Sequence, residues 1–222
     1  MLNLVITCGG SYDMAYANKT VNMFRRNCKI DFKPWCITER PLELHPSITP
    51  IKPSLEVTGW WNKVLAFSRD MPDGWITVID VDLLIVNDIT TIIEYALKNT
   101  KQMAAYSDAL HWMDCKFSSS LMVFKSGSLD HIYQNFKMQW PSIKDFPGGD
   151  QVWTYPQLDD VLFLDEVFPE FKKSFKVNLA RRDRTGFEVP NRLPEHVKII
   201  DFHGNPKPHQ ITKWSIVSEH WR

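Results

Sequence analysis

The sequence has no surplus of charge of either sign, because 26 lysines and arginines balance 26 aspartates and glutamates. This neutrality argues against proteins whose main task is to hold nucleic acid or an anionic membrane surface. Long apolar runs are also missing, since no stretch approaches the roughly 18 apolar residues of a membrane span. Residues 1–10 carry no basic leader and only a short apolar run, unlike a signal peptide. We therefore expect a cytoplasmic protein without a membrane span.

Cysteine is scarce, and its spacing excludes common cysteine-based sites. The four cysteines form no C-x-x-C pair, so we expect buried, reduced thiols rather than disulfides or zinc ligands. No internal repeat, low-complexity segment or shift in composition marks a linker. The 222 residues, 44% of them hydrophobic, suffice for one large core. We expect a single domain over residues 1–222.

Short apolar segments alternate with segments of helical periodicity. Helices are predicted after the first strand, with Val21 and Phe24 inside, from Trp60 to Ser68, after an Asp88 cap, and over 129–140. Residues 40–53, with four prolines, are expected to be irregular. The predicted strands are 2–7, 32–38, 75–86, 121–124, 161–164 and 197–202. This alternation predicts an α/β domain whose ligands gather at the carboxyl ends of the strands.

The stretch WITVIDVDLLIV, residues 75–86, places Asp80 and Asp82 in an otherwise apolar strand. A strand with one solvated face alternates, whereas the other even positions here are apolar. An ionised carboxylate taken from water without a partner costs several kcal/mol, so a cation should meet this pair. Residues two apart in a strand point the same way, which lets both carboxylates reach one ion. A solvated pair at the end of a strand is the alternative.

An Asp-x-Asp that ends a strand resembles the signature of GT-A glycosyltransferases, in which it holds a divalent metal on the diphosphate of a nucleotide sugar. Three further stretches resemble the retaining group that contains glycogenin and bacterial lipopolysaccharide galactosyltransferases. They are FSSSLMVF at 117–124, Asp150-Gln151, and FHGNPKPH at 202–209. The resemblance implies the Rossmann-like GT-A fold, a mainly parallel mixed sheet flanked by helices. It also implies metal-dependent transfer of a hexose from a UDP-sugar to a carbohydrate or glycoconjugate acceptor, with retention of configuration.

The same resemblance makes Asp80 and Asp82 metal ligands. The family's metal-binding histidine stands six residues before its lysine, where this chain has Asp201, with His203 two positions later. We favour His203, which suits Mn²⁺, because the adjacent glycine and proline suggest a loop that turns it inward. Asp201 as the third ligand would favour Mg²⁺. A structural His203, hydrogen-bonded within its loop, is the alternative.

The resemblance also implies two sets of residues that act on the reacting atoms. Lys207 is expected to place a compact positive charge at the departing β-phosphate, in a loop that Gly204 shapes for backbone N–H groups to approach. Asp150 and Gln151 are implied beside the anomeric carbon, where they would stabilise an oxocarbenium-like transition state. Asp150 could also cap a helix, either together with this role or in place of it. Lys207 could instead be a solvated surface lysine.

Recognition of the nucleotide sugar is expected near the loop that follows the first strand. Gly9 permits close approach of the backbone, and Tyr12 is a candidate to stack on the base. The alternative for either feature is that it serves only the turn. Lys63 lies where the family has an arginine, although an exposed helix lysine is the alternative. Ser118 replaces the family's asparagine beside the donor sugar. The donor-site residues expected in addition to Lys207 and Gly204 are Thr7, Gly9, Tyr12, Lys63, Asp80, Val81 and Ser118.

Three other functions are compatible with parts of the pattern. A sugar nucleotidyltransferase shares the α/β plan, but it should carry a basic residue soon after the glycine-rich loop, and the next one here is Lys19. A glycoside hydrolase needs carboxylates on two sides of the sugar, for which neighbours on one strand are poorly placed. A non-catalytic carbohydrate-binding protein of the same fold is disfavoured by Asp80, Asp82 and Lys207. The donor sugar, the acceptor and the oligomeric state are not predicted.

Overall fold

The computed structural model of the protein describes residues 1–10, 12–53, 56–57, 59–182 and 186–222. The strands are β1 Leu2–Thr7, β2 Phe32–Ile37, β3 Thr49–Ile51, β4 Trp75–Ile79, β5 Leu83–Ile85, β6 Met103–Ser107, β7 Phe117–Lys125, β8 Val161–Phe163, β9 Lys172–Ser174, β10 Arg181–Arg182, β11 Phe187–Glu188 and β12 Ile199–Asp201. The α-helices are α1 Ala15–Asn27, α2 Thr90–Leu97, α3 Asp130–Gln139, α4 Gly149–Thr154, α5 Leu164–Val167 and α6 Ser215–His220. A nine-residue 3₁₀ helix, Gly59–Phe67, precedes β4.

Seven strands form the main sheet in the order β3-β2-β1-β4-β7-β6-β8. β1 is parallel to β2 and β4, whereas β7 is antiparallel to both of its neighbours. A second sheet has the order β5-β12-β9, and β10 pairs with β11. The sheet is therefore mixed and flanked by helices, as the sequence predicted.

Both faces of the main sheet are covered, which explains the continuous apolar runs of its central strands. Leu4 and Ile6 of β1 belong to the core under α1 and α2, whereas Val5 belongs to the core under the 3₁₀ helix and α3. All three side chains are fully buried. No described helix is both long and apolar enough to cross a membrane.

Three chain segments meet at the carboxyl edge of β1 and β4. Asp80 follows β4 directly, and its N–H donates to the carbonyl oxygen of Ser120 at 2.9 Å. Because β7 runs in the opposite direction, its first residues reach the same edge. β12 ends there as well, since Asp201 pairs with Leu83 of β5. The topology therefore gathers the predicted polar residues from distant parts of the chain.

The aspartate stretch is not one strand, so that prediction is wrong. The chain turns after Ile79, and the N–H of Leu83 donates to the carbonyl oxygen of Asp80 at 3.2 Å. β4 lies in the main sheet and β5 in the second sheet. Asp80 and Asp82 thus share a turn rather than one strand face, and they reach the same cleft for a different reason than the predicted alternation.

Other differences concern short elements. β3 lies inside the segment predicted to be irregular, and β6 and β9 were not predicted. The helix at Trp60 is 3₁₀ rather than α. β1, β2, β8 and α3 lie where the sequence predicted them, within two residues at either end. The four cysteines are free and buried, as expected, and burial raises the pKa of the Cys8 thiol to about 12.

Phe24 provides a test of the core under α1. Its side chain is fully buried, and its ring centroid lies 4.8 Å from that of Phe32. Phe24→Ala is expected to lower the free energy of unfolding by about 3–5 kcal/mol, because it removes buried area and leaves a cavity. Urea denaturation followed by circular dichroism measures this change. Leu42→Ala, at a 98% exposed position, is the control and should stay within about 0.5 kcal/mol of the parent. Equal unfolding midpoints for both variants would contradict this packing.

Candidate active site

A cleft of about 1160 Å³ opens at the carboxyl edge of β1 and β4, above the range of about 300–1,000 Å³ usual for small-molecule pockets. All of the site residues predicted from the sequence line it. They are Thr7, Gly9, Tyr12, Lys63, Asp80, Val81, Asp82, Ser118, Asp150, Gln151, His203, Gly204 and Lys207. Asp201, the alternative metal ligand, lines it too. The fold therefore brings the predicted residues together, and their individual roles remain predictions.

Lys63 lies at the floor of the cleft, with a side chain only 6% exposed. Its Nζ lies 2.7 Å from Asp80 Oδ1 and 3.6 Å from Asp150 Oδ2, and it donates to Ser119 Oγ at 2.9 Å. Burial lowers the pKa of Lys63, but the two carboxylates outweigh it and raise the pKa above its ordinary value. Lys63 is therefore a fixed positive charge, and its interpretation as an exposed helix lysine is wrong.

The negative charge of Asp80 is only partly compensated by Lys63. Burial raises the pKa of its carboxyl well above the ordinary range, and the charges of Asp82 and Asp150 act in the same direction against Lys63. A carboxyl whose pKa is raised by burial and by like charges is stabilised by any further cation beside it. The charges of the site therefore favour a second cation beside Asp80, in addition to Lys63.

Asp82 links the turn at residues 80–83, which we call the aspartate turn, to the two loops that carry Tyr12 and Lys207. Its Oδ2 accepts hydrogen bonds from Tyr12 Oη at 2.9 Å and from Lys207 Nζ, which also donates to the carbonyl oxygen of Phe202 at 3.2 Å. Burial raises the pKa of Tyr12, and the Asp82 charge raises it further, so its hydroxyl stays protonated and donates. The Lys207 side chain is 19% exposed, and its interpretation as a solvated surface lysine is wrong.

Asp201 is held by a lysine that the sequence did not single out. Lys172 Nζ lies 2.9 Å from Asp201 Oδ2 and donates to Ser118 Oγ at 3.2 Å and Ser120 Oγ at 3.1 Å. Burial raises the pKa of Asp201, but Lys172 outweighs it and keeps the pKa below its ordinary value. This carboxylate is therefore already neutralised by a buried ammonium group.

His203 lies beside this pair, with Nδ1 3.8 Å from Asp201 Oδ1. Its Nε2 lies 3.1 Å from Ser174 Oγ. Burial lowers the pKa of His203 below its ordinary value, which favours the neutral imidazole near pH 7. Neutral imidazole is the form that binds metals. The hydrogen bond to Ser174 is also what the structural alternative for His203 expects.

Asp150 and Gln151 lie in the first turn of α4, opposite Ser119. Asp150 Oδ2 accepts a hydrogen bond from Ser119 Oγ at 3.0 Å, and Gln151 Oε1 accepts one from the Ser119 N–H at 3.3 Å. No side chain caps α4, whose preceding residue is Gly148, so the interpretation of Asp150 as a cap is wrong. Ser119 orients both predicted reaction-centre residues, although the sequence analysis named only its neighbour Ser118.

The expected metal ligands are not gathered into a ready coordination sphere. Within the described ranges, no three His, Cys, Asp or Glu side chains lie close enough together to hold a metal ion. Asp80 contacts Lys63, and Asp82 contacts Tyr12 and Lys207. Two carboxylates and a neutral imidazole are nonetheless a donor set that suits Mn²⁺ or Mg²⁺. Their chemistry fits a divalent cation, and their present partners are ammonium and hydroxyl groups.

No protein-family model matches the chain, and no curated protein matches its sequence. Solved structures do resemble it. The galactosyltransferase LgtC, in complex with donor and acceptor sugar analogs, superposes with a TM-score of 0.62 at 12% identity, over 99% of this chain and 96% of that one. GlyE, a glycosyltransferase in Streptococcus pneumoniae TIGR4, superposes with a TM-score of 0.61 at 12% identity, over 99% of this chain and 63% of that one. The bifunctional glycosyltransferase WbbM, in its apo structure, superposes with a TM-score of 0.62 at 12% identity, over 98% of this chain and 49% of that one.

The likeness to these enzymes extends over nearly the whole chain at very low sequence identity, so it is a likeness of fold. The chain therefore has the GT-A fold of glycosyltransferases such as LgtC, as its sequence predicted.

Proposed function

We propose that the protein is a metal-dependent glycosyltransferase that moves a hexose from a UDP-sugar to a carbohydrate or glycoconjugate acceptor, with retention of configuration. The observation that carries the proposal is the convergence of Asp80, Asp82, Asp150, Lys63 and Lys207 in one cleft. This cleft lies at the strand ends of a GT-A fold, where ligands of open α/β sheets bind.

The charges of the cleft support a diphosphate ligand together with a divalent cation. Lys63, Lys172 and Lys207 each pair with a carboxylate, so these three pairs carry no surplus positive charge for an incoming diphosphate, and a lysine that moves to a phosphate leaves its carboxylate uncompensated. Asp80, Asp82 and His203 are the residues that would hold Mn²⁺. When bound, the metal offsets the charge that grows on the leaving diphosphate. The raised pKa of Asp80 supports this assignment.

Nucleotide binding exchanges partners around Asp82. The Lys207 ammonium group transfers from this carboxylate to a β-phosphate oxygen, which takes on more negative charge as the glycosidic bond breaks. The Tyr12 hydroxyl leaves the same carboxylate, and its ring becomes available to stack on the base. Both movements would leave the Asp82 carboxylate free to hold a divalent cation.

Asp150 and Gln151 serve the sugar. The hydrogen bonds from Ser119, and Lys63 3.6 Å from the Asp150 carboxylate, hold both side chains in a fixed orientation. An oriented carboxylate and amide at the anomeric carbon stabilise positive charge on an oxocarbenium-like transition state. Preorganised groups contribute most, because they need not reorient during the reaction.

A sugar nucleotidyltransferase is the second candidate, and one contact disfavours it. The N–H of Gly10, in the loop after β1, donates to Glu39 Oε1 at 2.9 Å. A Cβ at Gly9 would clash with Oε2 of the same carboxylate. An acidic side chain across these two glycines repels phosphate groups, so this loop is unsuited to cradle a triphosphate. It remains suited to the uncharged nucleoside.

The metal assignment is tested by binding of UDP, measured by isothermal titration calorimetry with and without Mn²⁺. Asp80→Asn, Asp82→Asn and His203→Ala should each weaken Mn²⁺-dependent binding by at least about tenfold, because each removes a ligand. Asp201→Asn should stay within about threefold of the wild type, since Lys172 already holds that carboxylate.

Asp145→Asn, which alters an exposed acid, is the matched control for charge. Wild-type affinity and metal dependence in both Asp80→Asn and Asp82→Asn would contradict the metal site. A large loss in Asp201→Asn with none in His203→Ala would reverse the choice of the third ligand.

Lys207→Ala should lower turnover more than donor affinity, because the charge it meets grows toward the transition state. We expect kcat to fall by about 100-fold and the KM for the UDP-hexose to change by less than about tenfold. Continuous measurement of UDP release gives both constants. Lys213→Ala, at an exposed position, is the control. Unaltered kcat in the Lys207 variant would exclude it from the reaction.

Retention of configuration rests on the resemblance to retaining enzymes. The product formed from an α-linked UDP-hexose should carry an α-glycosidic bond. The anomeric proton coupling in a one-dimensional NMR spectrum of the first product assigns the linkage. A β-linked product would contradict retention and leave the transferase activity itself in place.

A further inference from the structure

Two adjacent tryptophans of the 3₁₀ helix have opposite environments. Trp61 is 3% exposed, and its Nε1 donates to the carbonyl oxygen of Lys144 at 3.0 Å. Trp60 is 62% exposed, although it lines the cleft. A large aromatic side chain stabilises a fold mainly by being buried, so most of the Trp60 ring contributes little to stability.

The helix type fixes where Trp60 lies relative to the reaction centre. In a 3₁₀ helix, side chains three residues apart eclipse each other, and three residues rise by about 6 Å. Trp60 therefore lies on the same side of the helix as Lys63, one turn earlier. Lys63 contacts Asp80 and Asp150 at the floor of the cleft. The indole thus stands one helical turn outward from the predicted reaction centre.

Packing holds this indole on the side of Asp150. A Cβ at Gly149 would lie 2.7 Å from Trp60 Nε1 and 3.2 Å from its Cδ1, so the absence of a side chain there lets one edge of the ring lie against the backbone. Gly149 also has φ +65°, a left-handed conformation that favours glycine. The edge of the ring is supported while most of its surface stays open.

Two further exposed apolar side chains belong to the loop between β6 and β7, and one of them lines the cleft. Leu110 lines the cleft and is 50% exposed, and Met113 is 53% exposed. The Met113 sulfur would lie 3.3 Å from a Cβ at Gly148. The loop that carries them holds Met113 at φ +55°, and such left-handed backbone clusters at ligand sites. Trp60, Leu110 and Met113 together form what we call the apolar rim.

We propose that the apolar rim is the acceptor subsite, in which a pyranose of the acceptor carbohydrate stacks on the Trp60 ring with its reacting hydroxyl directed toward Asp150 and Gln151. This assignment deepens the proposed function and rests on it. It names a binding surface for the acceptor, separate from the residues that hold the nucleotide.

The chemistry of the rim favours a sugar over an apolar protein partner. A pyranose presents an apolar face of C–H groups and an edge of hydroxyl groups. The rim offers an aromatic surface, and the carboxylate and amide groups one helical turn deeper offer hydrogen-bond partners. Ligand sites combine these features: apolar walls and a few converging polar groups. Trp60 and Leu110 of the rim line the same cleft as Asp150 and Gln151, as transfer between two bound sugars requires.

Saturation-transfer NMR tests the subsite without requiring turnover. The probes are methyl β-D-galactopyranoside, methyl β-D-glucopyranoside and methyl N-acetyl-β-D-glucosaminide, each with the protein in the presence of UDP and Mn²⁺. The wild type should bind at least one of them. Trp60→Ala should weaken that binding by about tenfold, because it removes the stacking surface. Trp60→Phe, which keeps an aromatic face, should stay within about threefold.

Met138→Ala, at a 75% exposed position on α3, is the control for loss of an exposed apolar side chain and should leave the signals unchanged. UDP binding is measured in parallel for every variant. Glycoside binding that is equal in Trp60→Ala and the wild type, or that is absent from the wild type, overturns the subsite. Intact UDP binding then leaves the proposed function standing. Loss of glycoside binding in Trp60→Ala alone supports the subsite, whereas failure of the wild type to bind UDP counts against the proposed function.

Discussion

The geometry of the cleft depends on the contacts that the Lys63 ammonium group makes. It pairs with Asp80 in the turn after β4, donates a hydrogen bond to Ser119 at the start of β7 and lies 3.6 Å from the Asp150 carboxylate in α4. A buried charge without partners costs several kcal/mol, so Lys63 fixes those three segments relative to one another. The 3₁₀ helix that carries Lys63 packs against α3 and α4, which makes the position of the ammonium group a property of the core.

Lys207 differs from Lys63, because its side chain, which also lines the cleft, is more exposed. Lys207 shares Asp82 with the hydroxyl of Tyr12, and it belongs to a loop whose backbone reaches the cleft. In the proposed function, this contact neutralises the Asp82 carboxylate until a nucleotide binds and is then exchanged for a phosphate contact. The side chains of Lys63 and Lys172 are each 6% exposed, whereas the Lys207 side chain is 19% exposed, so we assign the proposed exchange of partners to Lys207.

The general plan followed from the sequence because it depends on local patterns. Continuous apolar runs identified β1, and the spacing of Leu129, Ile132 and Phe136 identified α3. Lys172 could not be predicted, since its neighbour Lys173 has the same side-chain chemistry but pairs with Glu170. Only the parallel pairing of β9 with β12 decides which of the two lysines pairs with Asp201. The aspartate stretch was misjudged for a related reason, because the two short strands on either side of its turn belong to different sheets and pair with distant segments.

Lys172 also explains why an acid can stand at position 201, where the resemblance expects a histidine. An unpaired carboxylate there would add negative charge to a cleft that already raises the pKa of Asp80. The ion pair with Lys172 removes that charge, and the two serine hydroxyls of β7 satisfy the remaining donors of the ammonium group. His203, two residues later, stays within reach of the cleft through its contact with Ser174. An aspartate in place of the histidine at position 201 is therefore compatible with the His203 imidazole serving the site, provided that Lys172 and Asp201 occur together.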